Sequence, residues 1–270
     1  PDPAGLTPRA FPSRIPARLH PASALAPALH PLRSALSTPM PPPAIDVRVI
    51  SIGTLSANSL WDERTPVRTG HATCTLIRSG KKTILVDPGL PEAAIAARLN
   101  ERTGLKISDV THVFLTSYQH DTMRGVRAFE HATWYIGQNE REGVGVPLAE
   151  DLRKAALAGD EELRARLERD VAVLKRCQAA PDRVADGVDI FPMPGVTPGL
   201  TGLLLALPRS TLLVCGDAIA TSDHLAKAMV LPDSIDVRQA QESLKEAVEI
   251  ADTFIPGRDN IMPNPLRRAF

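Results

Sequence analysis

Thr116-Ser117-Tyr118-Gln119-His120-Asp121-Thr122 is the stretch on which the reading of this chain turns. It follows Val113-Phe114-Leu115, a short run without a polar residue. It precedes Met123-Arg124-Gly125-Val126, on the approach to a helix. A short apolar run bounded by polar residues predicts a buried strand. A polar loop between a strand end and a helix is where a layered α/β protein places its functional groups. This loop offers one carboxylate, Asp121, and one imidazole, His120, among hydroxyl and amide side chains.

The flanking sequence has the same character. Residues 47–52 alternate like a half-buried strand, and 73–77 read as a second. Gly80-Lys81-Lys82 turns the chain into Thr83-Ile84-Leu85-Val86, a third strand that ends at Asp87-Pro88-Gly89. A helix is expected from about Glu92 to Glu101, then strands at 112–116 and 132–136. Residues 148–176 predict two helices broken at Gly159-Asp160, with Leu163, Leu167, Val171 and Leu174 at helical spacing. Strands return at 188–193, 202–207 and 211–215, the last ending in Gly216-Asp217. A final helix over about 237–253 leads into Thr253-Phe254-Ile255 and Pro256-Gly257-Arg258. The order gives two similar halves, each sending polar residues out of strand ends, and predicts sites at one edge of the sheets.

Five segments, taken in order, resemble the metallo-β-lactamase superfamily over residues 46–262. Val86-Asp87-Pro88-Gly89 is similar to its strand ending in Asp-x-Gly. Thr116 to Thr122 is similar to its His-x-His-x-Asp-His loop. Met193-Pro194-Gly195-Val196-Thr197-Pro198-Gly199 is similar to its Pro-Gly-His-Thr-x-Gly segment. Val214-Cys215-Gly216-Asp217 matches the segment whose carboxylate bridges two metals, and Ile255-Pro256-Gly257-Arg258 the last Pro-Gly-His. The resemblance implies a four-layer αββα sandwich across residues 45–270. It also implies a dinuclear zinc hydrolase, with Asp87 supporting the metals. Carried over one by one, the ligand positions are Ser117, Gln119, Asp121, Thr122, Val196, Asp217 and Arg258. None is a histidine. Valine has no donor atom, and arginine is permanently cationic. Zinc takes imidazole, thiolate and carboxylate, so no metal is expected here.

The fold would still bring Asp87, Asp121 and Asp217 together, and three carboxylates without a counter-ion repel. Arg258 offers the counter-charge, and the expectation is a salt-bridge cluster in place of the metals. The bland alternative makes Asp121 a helix cap and Asp217 a turn cap. A rival keeps catalysis: His71 and His120, with Asp121 and Asp217, would hold one zinc, manganese or iron ion in a shifted site. A metal-bound water would then attack an ester, thioester or lactam. An all-oxygen magnesium or calcium site from Gln119, Asp121, Asp217 and Asp259 is the weakest variant, because Arg258 lies beside it. The function expected is therefore a binding or assembly protein, with the shifted-site hydrolase as its alternative.

The composition sets the outer bounds. The 270 residues carry a formal net charge of zero, so nothing favours nucleic acid or anionic lipid as partner. No apolar stretch reaches the ~20 residues of a bilayer span. The three cysteines, Cys74, Cys177 and Cys215, form no paired spacing, which fits reduced thiols in a cytoplasmic compartment. The expected partner is a small molecule or a protein, with homo-oligomers open. Residues 1–44 are rich in Pro, Ala and Arg without periodicity and are expected to be disordered. Two other readings of this stretch are a transit peptide and an upstream extension to a natural start at Met40.

Overall fold

The computed structural model describes residues 44–267. The segment 1–43, where disorder is expected, lies outside the described residues.

Two six-stranded sheets make up the described chain. The first uses β1 (Asp46–Ser51), β2 (Cys74–Ser79), β3 (Lys82–Val86), β4 (His112–Leu115), β5 (Thr133–Ile136) and β6 (Gln178–Ala179), in that order. Strands β1 to β3 are antiparallel and β3 to β6 parallel. The second contains β7 (Arg183–Ala185), β8 (Val188–Pro192), β9 (Thr201–Leu207), β10 (Ser210–Gly216), β11 (Thr253–Pro256) and β12 (Met262–Pro263). Here only β10 and β11 run parallel. The helices are α1 (Glu92–Thr103), α2 (His120–Met123), α3 (Gln138–Ala158), α4 (Glu161–Arg176), α5 (Ser222–Ala226) and α6 (Val237–Ile250).

The period of two along each strand explains the layering. Ile84 and Val86 of β3 join Leu212 and Val214 of β10 in one apolar layer between the sheets, together with Phe114, Leu203 and Ile255. The residues between them point outward. Leu85 packs with Ile95 and Leu99 of α1, and Leu213 and Cys215 pack with Ala240, Leu244 and Ala247 of α6. A strand buried on both faces has no polar side, so its sequence is a continuous apolar run. The result is the αββα sandwich.

One expected element is ten residues too short. The structure starts α3 at Gln138, not at 148. Gly143, Gly145 and Pro147 read as breakers, yet all three lie inside the helix. Gly143 is there because Pro198 presses against it: a Cβ at 143 would lie 2.3 Å from the Pro198 Cβ. Tertiary packing overrides propensity at this point. The break at Gly159 is real, with φ at 69° and the side chain of Asp160 capping α4.

Candidate functional site

The C-terminal ends of β3, β4, β10 and β11 deliver the residues of the site. Asp87 follows β3 at a φ of 48°. Its Oδ1 accepts from the Thr116 amide at 2.8 Å, and its Oδ2 accepts from the Thr116 hydroxyl at 2.7 Å. Burial pushes the carboxyl up to about 7, against the pull of the two Thr116 donors.

Asp217 follows Gly216 at the end of β10, and Arg258 follows Gly257 at the end of β11. Both glycines are dictated by space. Gly216 has φ at 52°, and a Cβ there would lie 2.6 Å from Thr116 Oγ1. A Cβ on Gly257 would lie 2.4 Å from Asp217 Oδ1. The backbone must come this close for the next side chains to meet. Arg258 donates from Nε to Asp217 Oδ1 at 2.7 Å and from Nη2 to Oδ2 at 2.6 Å, a bidentate fork. Its Nη1 donates to Asp121 Oδ2, and Nη2 lies 3.4 Å from the Gln119 Oε1 acceptor. Asp217 is 3% exposed and Arg258 6%. Burial alone would lower the arginine, but Asp217 and Asp121 hold it above its ordinary value. Burial would raise Asp121, but the guanidinium wins and holds it below the usual carboxylate range.

The remaining positions are placed as follows. Ser117 is fully buried, and its Oγ has no partner among the described residues. Thr122 donates its hydroxyl to the Ser117 carbonyl at 2.9 Å and to the Gln119 carbonyl at 2.8 Å. Val196 is buried in the outer core with Leu200 and Leu213. Asp121 caps no helix: Gln119 takes the cap position of α2, without a side-chain bond, and Asp121 turns to Arg258.

The histidines of the shifted site are not brought together. His71 bonds through Nε2 to the Ile52 carbonyl at 3.1 Å. His120 is exposed and lines a separate depression with Tyr118, Met123 and Pro198. His120 and Asp121 are successive residues of α2 and leave the helix in different directions, so Asp121 faces Arg258 while His120 does not. Among the described residues no group of three or more His, Cys, Asp or Glu side chains converges as for a metal. Asp259, the remaining oxygen candidate, is taken by the amide and hydroxyl of Ser222, at 2.9 and 2.6 Å.

Above the cluster lies a cleft of about 730 Å³, walled by residues 55–64 and 231–233, with Gln119, Asp121, Asp217 and Arg258 on its floor. Trp61, in the same segment but outside the lining, is 57% exposed and donates its indole N–H to Asp223 Oδ2 at 2.8 Å. Two site residues escape sequence reasoning. His224, on α5, is 1% exposed and lines the cleft, and burial keeps its imidazole below the ordinary histidine range. It sits outside all five family-like segments, and its only signal is the capping Thr221 three residues before it. Glu140 is fully buried in the first turn of α3. It accepts from the Tyr118 amide at 2.7 Å, the Thr197 hydroxyl at 2.7 Å and the Gly199 amide at 2.8 Å. This carboxylate ties the 116–122 loop to the 196–199 loop.

The chain belongs to the metallo-beta-lactamase superfamily, whose family model matches residues 67–255. A protein of Mycobacterium tuberculosis named "Probable metallo-hydrolase" is 31% identical over 136 residues, covering 48% of this chain and 44% of that protein. The chain thus spans less than half the length of this relative. Among solved structures, the dizinc quorum-quenching lactonase AidC superposes with a TM-score of 0.55 at 17% identity, over 84% of this chain and 93% of that one. A single-residue variant of AiiA from B. thuringiensis, with N-decanoyl-L-homoserine bound at its active site, gives 0.54 at 20%, over 80% and 92%. At these identities the likeness is one of fold.

Proposed function

We propose that this protein is a metal-independent, non-catalytic member of its superfamily that binds a small molecule in the cleft above Arg258. The observation that carries this reading is the guanidinium bridging Asp121 and Asp217. A fixed cation already balances the two carboxylates that would otherwise be available to metal. The other positions do not fit a dinuclear zinc centre. Val196 is an apolar core residue, Thr122 spends its hydroxyl on backbone carbonyls, and Ser117 and Gln119 are weak neutral ligands. The separation of His71 and His120 from this cluster speaks against the shifted metal site.

The rival is a metal-dependent hydrolase, which the superfamily and the metallo-hydrolase relative support. Protein purified without chelators separates the two. Metal content by mass spectrometry should fall far below one zinc, manganese or iron ion per chain. Hydrolysis of an ester, a thioester and a lactam should stay at the buffer rate when these metals are added. One tightly held ion per chain, together with turnover, would establish the hydrolase instead.

A further inference from the structure

We propose that the cleft takes a hydroxylated organic cation, such as an amino alcohol or an amino sugar; this inference rests on the metal-independent reading of the same site. The charge balance gives the first half. Asp62, Glu63, Asp121, Asp217 and Asp233 line the cleft against Arg64 and Arg258. Arg68 pairs with Glu63 and Arg124 acts on Asp121 from outside the lining, which leaves a net excess of one negative charge, set by the exposed Asp62 and Asp233 at the mouth. Arg258 has its charge matched by Asp217 and Asp121 and spends all but one of its N–H donors on them and on Gln119, so it offers an anion little. A ligand carrying an ammonium group is attracted by this wall, and a carboxylate or phosphate is repelled.

His224 gives the second half, independently of the acids. Thr221 Oγ1 accepts from the His224 amide at 3.3 Å and lies 2.8 Å from His224 Nδ1. The hydroxyl proton has no other acceptor among the described residues, so it goes to Nδ1. The ring proton then resides on Nε2. That N–H lines the cleft without a partner among the described residues, on a side chain 1% exposed. The rest of the ring is buried while this nitrogen stays open to the cleft, so a ligand oxygen can take the hydrogen bond that solvent otherwise accepts. The amide nitrogen of Gln119 is a second donor without a partner among the described residues, and it faces the same space. The ligand therefore presents hydroxyl or ether oxygens inward to His224 and Gln119, and its cation toward the acidic wall.

Three probes on one scaffold test this: glucosamine, glucose and glucuronate, titrated into the full-length protein by calorimetry and by NMR of the His224 ring. Glucosamine should bind at least about tenfold more tightly than glucose, and glucuronate should not bind. The His224 signal should move with the first two. Asp62 and Asp233 are exposed at the mouth, so the double variant D62N/D233N should fold normally and lose most of the preference for glucosamine. Equal or tighter binding of glucuronate, or no binding of glucosamine, would overturn the ligand class. Metal content measured on the same sample keeps the two readings apart. Stoichiometric metal would undo the metal-independent reading, whereas metal-free protein with the wrong charge preference would undo only this one.

Discussion

At the scale of single residues, Arg258 decides the character of the site. A buried arginine is tolerable only with its charge matched, and Asp217 and Asp121 match it with charge-assisted hydrogen bonds. Removing it leaves two acids facing each other beside Asp87. Arg258→Met should therefore lower stability by about 3–5 kcal/mol at neutral pH, measured by urea denaturation. Asp121 is depressed in the folded state, so its contribution is present above its unfolded pKa and lost as pH falls through the folded value. The Arg258→Met deficit should accordingly shrink in acid; a deficit that grew would contradict the ion-pair account.

Asp87 behaves in the opposite sense. Its folded-state value, about 7, lies above the ordinary one, so the folded protein holds a proton that the unfolded chain releases. Its contribution makes stability fall as pH rises from about 4 to 7. Asp87→Asn tolerates the positive φ and still accepts from the Thr116 amide, while its own amide N–H donates to the Thr116 hydroxyl instead of accepting from it. It should flatten that slope, raising stability near pH 7.5 on the order of 2 kcal/mol relative to the parent. An unchanged slope in parallel urea titrations would show that Asp87 is not the group responsible.

Among elements, the two loops that carry family-like motifs are joined by a carboxylate on a third. Glu140, fully buried, takes three donors from residues 118, 197 and 199. Glu140→Ala should cost about 3 kcal/mol and broaden the amide signals of residues 117–119 and 197–199. Glu140→Gln, which keeps the shape and part of the accepting capacity, should cost less. Equal costs for both variants would mean that packing, not these hydrogen bonds, holds the loops. The sequence could not announce this contact, because an acid in a helix's first turn is ordinarily a solvated, dipole-complementing residue. The same blindness shortened α3: Gly143 and Pro147 look like breakers until Pro198 is seen against the helix. Strands buried on both faces were far more legible. Ile84-Leu85-Val86 and Leu212-Leu213-Val214 each feed two apolar layers, and each is bounded by turn residues at strand length. Two-residue strands such as β6 and β12 leave no periodicity to read.

Over the whole molecule, the sandwich and its superfamily rest on five ordered segments, none decisive alone. The site was legible where motifs mark it, at Asp87, Asp121, Asp217 and Arg258. It was illegible where the chain returns from elsewhere, as with His224 and the cleft wall at residues 55–64. Fold and site carry different information. The β10 and β11 ends still converge as a hydrolase scaffold would have them, while the side chains they present form a closed charge cluster. Among the described residues no helix is long and apolar enough to cross a membrane. The proposed function requires a guanidinium, not a metal, to hold the carboxylates together. Anomalous diffraction at the zinc edge tests it most directly, on crystals of protein purified without chelators and soaked in zinc. The account predicts no peak between Asp121 and Asp217, and continuous density from Arg258 to both. A zinc peak bridging the two carboxylates, with Arg258 swung into the cleft, would contradict it.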